Sequence, residues 1–175
     1  MNPNTESLIQ KLSLQPHPEG GYYRETYRAP LQVQSAKHAS MRSAFTSIYF
    51  LLGDGQYSAW HRVASDESWF FHEGSDVEVY SLLPLGSPRS GEDGVVRTQT
   101  LGLVCACYEL TIPADTWFAA RPVQRDSHSL VSCVVAPGFE FEDFELASKE
   151  QLIEAGYQAT EQWPMIESLL VARSA

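Results

Sequence analysis

From residue 44 to residue 147 the chain repeats one pattern, a short run rich in β-branched and aromatic residues followed by a turn signal. Runs cover 44–52, 57–63, 67–72 and 77–83, and they stop at Gly53-Asp54-Gly55, Ala64-Ser65-Asp66, Glu73-Gly74 and Pro84. Further runs cover 95–101, 104–112, 117–120, 130–135 and 140–145. Many strands spaced by about 8–12 residues, with no helices between them, build a sandwich or barrel rather than an α/β fold. Such a fold needs an interior. A chain of 175 residues with 43% hydrophobic content supplies one, since a domain of this size buries roughly 70% of its unfolded surface. The length predicts one domain over 1–175, with the barrel core at about 22–147.

The flanks read differently. Asn4 or Thr5 caps an N-terminal helix with Leu8, Ile9 and Leu12 on one face. It ends before the breaker-rich stretch Pro16-His17-Pro18-Glu19-Gly20-Gly21. Tyr22, Tyr23, Thr26 and Tyr27 favour a strand, while residues 31–42 and 86–94 read as loops. After the barrel, Ser148 and Gln151 match a capping box ahead of Leu152 and Ile153, and a last helix is predicted over 164–171. Internal repeats and low-complexity segments are absent from the sequence.

Charge narrows the partners. A net charge of −10 repels phosphate backbones and anionic membrane surfaces, so neither nucleic acid nor membrane is expected. The apolar runs are too short to span a bilayer, and the N-terminus has no secretory pattern. Three cysteines, Cys105, Cys107 and Cys133, do not make a disulfide scaffold, so a reduced, cytoplasmic protein is expected.

The window Gly55 to Gly74 reads GQYSAWHRVASDESWFFHEG. Its spacing (Gly55, five residues, His61, one, Val63, three, Glu67, six, Gly74) resembles the first cupin motif, which carries histidine where Val63 stands. Residues two apart on a strand face the same way, so 61 and 63 point inward together, with Glu67 entering from the next strand. Pro113 to Phe118 resembles the second motif, with Asp115 in place of its glycine and Phe118 in place of its histidine. The blocks PHPEGGYYRETYR (Pro16 to Arg28), IYFLL, WHRV, DESW and APGFEFEDFEL are similar to one cupin-like family that carries a domain-of-unknown-function label. This resemblance implies a jelly-roll barrel, commonly a homodimer, with kinship to carbohydrate epimerases, isomerases and seed storage proteins. The chain departs at Phe70, where that family often has histidine, and His72 stands two positions on. Cupin metal sites typically use three histidines and a glutamate. Only His61 and Glu67 remain, so no metal cofactor is expected; a divalent metal, if bound, would sit on these two.

The residues allow an acid/base site without metal. His61 would act as general base and Glu67 as its orienter or acid partner. Trp69 and Phe71 share the parity of Glu67 and would wall a pocket with Phe118; Tyr49 would add a hydroxyl and Asp143 would reach the barrel mouth. Such a set serves an epimerase, isomerase or lyase acting on a small carbohydrate-like ligand. It equally serves a binding module without turnover. His61 and Glu67 as a buried pair with no catalytic role, and the aromatics as plain core, are the structural alternatives. A metal-dependent oxygenase conflicts with Val63 and Phe118. Glu19, Arg24, Glu25 and Arg28 either anchor the N-terminal strand by ion pairs or line the pocket mouth. Cys105 and Cys107 read as small buried hydrophobes. His17, His38 and His128 carry no assigned role.

Overall fold

The computed structural model describes residues 3–35, 40–87 and 94–171. A helix, α1 (Pro3–Leu12), leads into β1 (Gln15–Pro16) and β2 (Tyr22–Arg28). A hairpin of β3 (Gln32–Gln34) and β4 (Met41–Ser43) follows. The barrel continues with β5 (Thr46–Leu52), β6 (Ser58–Val63), β7 (Asp66–Gly74), β8 (Val77–Leu82), β9 (Val96–Leu101), β10 (Glu109–Ile112), β11 (Phe118–Pro122), β12 (Ser129–Ala136) and β13 (Phe144–Leu146). Two helices, α2 (Lys149–Glu154) and α3 (Trp163–Ser168), follow the barrel. One antiparallel sheet runs β1-β2-β5-β12-β7-β10 and the other β13-β6-β11-β8-β9. Their inner faces share one core, in which Phe50, Trp69 and Val131 of the first sheet meet Val79, Leu101 and Phe118 of the second. This is the jelly-roll barrel expected, with its N-terminal helix and helical tail.

Alternation assigns each face. On β5, Phe50 and Leu52 enter the barrel, while Leu51 turns outward under α1 against Leu14 and Leu130. On the other sheet, Trp60 and Ala119 turn outward and are covered by Leu152, Ile166 and Leu169 of the tail. Trp60 Nε1 donates to the Ile166 carbonyl at 2.7 Å, which satisfies the indole where it is fully buried. Each such aliphatic side chain, Leu51 and Ile166 among them, contributes about 1.5–3 kcal/mol by burial. The capping box at Ser148 and Gln151 forms in both directions and starts α2.

Three expectations need correction. Residues 31–42 are not simply loop, because β3 and β4 pair there; 36–39 lie outside the described residues, as do 88–93 of the 86–94 connector. The run over 104–112 is a strand only from Glu109, since the Asp76 carboxylate accepts from the backbone N–H of Val104 and Cys105 and holds that segment as a turn. The run over 140–145 begins as a 3₁₀ turn, Phe141–Asp143, before β13.

Two irregularities set the site. On β6 the register steps from Phe118↔His61 to Ala120↔Ser58, so three steps along β6 match two on β11. This bulge lets Ser58 and His61 both face inward around outward-facing Trp60. At Asp115 the backbone has φ 62°, the left-handed conformation that glycine favours and aspartate tolerates. The turn before β11 therefore survives without the motif's glycine.

Candidate functional site

One end of the barrel interior is not filled. A cavity of about 160 Å³ opens there between the sheets, with His61, Glu67 and Cys133 in its wall. The two residues expected from the motif thus meet in one hollow, His61 being 2% and Glu67 7% exposed. Val63 lines the same space, as the two-residue period requires.

The carboxylate against His61 is a different one. Glu19 comes in from the Pro-His-Pro-Glu-Gly-Gly loop before β2. Gly20 and Gly21 both have positive φ, 109° and 68°, and a Cβ on Gly20 would lie 2.2 Å from the Tyr57 carbonyl oxygen. Only glycine lets the loop press this closely on the barrel, and the Ala59 N–H donates to the Glu19 carbonyl at 2.8 Å to lock it. Glu19 Oε2 then lies 3.2 Å from His17 Nδ1 and 3.3 Å from His61 Nε2, while Oε1 accepts from Ser58 Oγ at 2.9 Å.

Proton positions follow from the partners. His61 Nδ1 lies 2.7 Å from the Ala59 carbonyl oxygen, which can only accept, so Nδ1 carries a proton. Nε2 faces Glu19 Oε2 at 3.3 Å, so a second proton is held between that nitrogen and the carboxylate. Burial disfavours the charged imidazole, while Glu19 at Nε2 and the Ala59 carbonyl at Nδ1 favour it. Burial also opposes ionisation of Glu19, but His61, His17 and Ser58 together hold it below the usual carboxylate range. Glu67 has weaker support. Trp69 Nε1 donates to its Oε1 at 2.9 Å and the Cys133 thiol is beside it in the cavity wall. Burial, then the charge of Glu19, pushes Glu67 up to about 8, and burial, then Glu67 and Glu19, raise the Cys133 thiol. Of the two buried carboxyl groups in the cavity, Glu19 is therefore held toward its ionised form and Glu67 keeps its proton at neutral pH.

The other expected residues fall elsewhere. Trp69 and Phe71 share the face of Glu67 but lie deeper, in the closed core, where Trp69 is buried and Phe71 partly so. Phe118 packs behind His61, ring centroids 4.0 Å apart, and outside the cavity wall. Tyr49 points the other way: its neighbours Ile48 and Phe50 line the cavity, while Tyr49 packs against the outer cluster under α1 and meets His72 on that face. Asp143 does not reach the cavity either, because Arg42 Nε donates to its Oδ2 at 2.6 Å beneath the 3₁₀ turn. The rings that do wall the cavity are Tyr23, Phe50, Phe139, Phe141 and Phe144. Sequence reasoning missed these phenylalanines, and it missed His17 and Glu19 as site residues. The signal was two prolines and two glycines framing a histidine and a glutamate, a loop of fixed shape carrying two titratable groups. Of the N-terminal charged cluster, Glu25 and Arg28 stand at the cavity rim, whereas Arg24 lies over Tyr49 on the outer face. His128 pairs with Glu73 away from the site, and His38 lies outside the described residues.

A cupin metal does not fit these groups. Among the described residues no three histidine, cysteine or carboxylate side chains are arranged to hold a metal ion. His17 Nδ1 and His61 Nε2 both meet Glu19 Oε2 directly, as partners of that carboxylate. Val63 and Phe118 offer no donor atoms.

The comparisons agree with this architecture. The sequence profile described as Cupin superfamily (DUF985) matches residues 6–147. A hypothetical protein from Leishmania major is 31% identical, with 95% of this chain and 98% of that one covered and a TM-score of 0.80. A Shewanella oneidensis protein is 34% identical, with 96% and 98% covered and a TM-score of 0.78. An L-ribose isomerase from Cellulomonas parahominis shares the fold at 13% identity, with 76% and 79% covered and a TM-score of 0.53. No curated protein matches. Among the described residues no helix is long and apolar enough to cross a membrane. The chain belongs to the cupin superfamily, in its DUF985 family.

Proposed function

We propose that this cupin is a metal-free acid/base enzyme of the epimerase, isomerase or lyase kind, acting on a small carbohydrate-like molecule in the barrel cavity. One observation carries the reading: two buried carboxyl groups line one small cavity, and their hydrogen-bond partners differ in kind. Three side chains, His17, His61 and Ser58, favour the ionised form of Glu19. Glu67 is left to an indole and a thiol beside that charge. Carboxyl groups whose surroundings drive their pKa values apart are suited to divided acid and base roles.

Glu19 is then the base and Glu67 the acid. Glu19 takes a proton from the carbon next to a carbonyl, and Glu67 gives its proton to the carbonyl oxygen. An enediol forms; Glu19 then returns its proton to either face or either carbon while ionised Glu67 takes one back from an enediol hydroxyl, which re-forms a carbonyl and restores both groups. His61 is a positioning residue in this scheme, since both its nitrogens are committed. The ring-rich wall excludes water from the step. A cavity of about 160 Å³ is close in size to one near 150 Å³ that holds benzene, so it encloses about six heavy atoms, the reacting end of such a molecule. The same volume would serve a binding module without turnover.

Exchange from solvent separates the two. Aldoses and ketoses incubated with the protein in deuterium oxide would gain deuterium at the carbon beside the carbonyl, followed by proton NMR. Glu19→Gln and Glu67→Gln each slow this by about 10²–10⁴-fold. A ligand that binds without any exchange, in the wild type, makes the cavity a binding module instead. The homodimer and the cytoplasmic location stay proposals alongside this one. Equilibrium sedimentation at one chain mass would remove the first, and fractionation of cells with the protein outside the soluble cytoplasmic pool would remove the second.

A further inference from the structure

We infer that the ligand of this cavity carries a positive charge, as a protonated amino sugar does; the inference rests on the reading of the cavity as a small-molecule site. Of the described residues in the wall, Arg28 alone is an arginine or lysine, whereas Glu19, Glu25, Glu67 and Glu140 all contribute carboxyl groups. Four of the five Arg28 N–H donors are taken, which leaves a single Nη1 donor for an anion. Its Nε and Nη2 form a fork on Glu25 at 3.1 and 2.8 Å, Nη2 also reaches the Phe139 carbonyl at 3.1 Å, and Nη1 donates to Glu140 at 2.5 Å. A ligand carboxylate or phosphate would have to displace a glutamate to be held by the two-point fork that arginine gives an anion.

The field inside points the same way. With Glu67 protonated, the Glu19, Glu25 and Glu140 carboxylates still outnumber the Arg28 guanidinium and the proton held between Glu19 and His61. The proton affinities of Glu67 and Cys133 register this, since Glu19 raises both. A cation placed among these groups relieves the field that an anion would strengthen. The walls add a second attraction. Tyr23, Phe139, Phe141 and Phe144 present aromatic rings, whose faces attract a positive charge, and this attraction grows where water is excluded. His61 offers an anion nothing, its Nδ1 proton being held by Ala59. Together these features fit a ligand with an apolar body or ring edge against phenylalanine and one ammonium toward the glutamates.

Glucosamine, glucose and glucuronate test this, being one ring in three charge states. Binding is read at neutral pH by calorimetry and by the Trp69 indole N–H resonance, which reports on the cavity through its bond to Glu67. Glucosamine is expected to bind about tenfold tighter than glucose, and glucuronate more weakly than either. In Glu25→Gln/Glu140→Gln, which alters two half-exposed rim residues and frees Arg28, the preference should move toward glucuronate. Glucuronate binding as tightly as glucosamine to the wild type, or equal affinity for all three sugars, overturns the inference. If no sugar binds, cyclohexylamine, cyclohexanol and cyclohexanecarboxylate take their place. Preference for the amine then keeps the charge inference while the carbohydrate reading falls. Silence of the Trp69 resonance toward all six compounds ends both.

Discussion

The two ends of the barrel interior are built by the same strands and differ in kind. On β7, Glu67 faces the cavity, while Trp69 and Phe71 on the same face enter the packed core. On β12, Val135 lines the cavity and Val131 the core, with Cys133 shared between them. On β5, Ile48 stands at the cavity and Leu52 belongs to the core alone. One end is filled by rings and branched aliphatics; the other keeps space and carries the titratable groups. Alternation chooses the face of a sheet, but distance along the strand chooses the end of the barrel. The packed end fixes the strands that aim Glu67 and His61 into the open end, so stability and chemistry are divided along one strand.

The largest effect expected from breaking this division is at Trp69. Trp69→Ala should cost about 3–5 kcal/mol in chemical denaturation, because a fully packed ring is lost and Glu67 loses its indole donor. A loss below about 1 kcal/mol would mean that the closed end does not hold the barrel together.

Glu67 sharpens the comparison through pH. Folding raises its pKa from 4.5 to about 8, so between these values the folded chain keeps a proton that the unfolded chain has released. Stability therefore falls as pH rises through that window, by roughly tenfold in the folding equilibrium per pH unit from this group. Glu67→Gln removes the dependence. Its unfolding free energy should lie close to the wild type near pH 5 and exceed it increasingly toward pH 8. Parallel curves for the two proteins would mean that Glu67 titrates normally.

The smallest effect is expected outside the barrel. Tyr49→Phe should leave ligand affinity unchanged and stability within about 0.5 kcal/mol, because the hydroxyl lies on the outer face away from the cavity. Weakened ligand binding in this variant would contradict the assignment of faces.

These contrasts also explain what the sequence could and could not convey. The barrel was legible because turn signals and β-rich runs are local, and the His61–Glu67 meeting was legible because both sit on one short motif. Trp69, Phe71 and Phe118 were assigned to the right interior but the wrong end, since parity carries no depth. Tyr49 was assigned a hydroxyl in the pocket without a parity argument, and alternation with Phe50 turns it to the outer face. Asp143 was drawn away by Arg42, 101 positions distant, and Glu19 was brought to His61 by a loop 39 positions from Ser58. Contacts of that separation leave no periodic trace.

The central claim is that Glu19 and Glu67 hold opposite protonation states in one cavity. Carbon-13 NMR of the glutamate side-chain carboxyls across pH, assigned with Glu19→Gln and Glu67→Gln, tests it directly. The account predicts one resonance that stays ionised below the usual carboxylate range, belonging to Glu19, and one that titrates near 8, belonging to Glu67. Both carboxyls titrating together near 4.5, or Glu67 already ionised at pH 6, would contradict it.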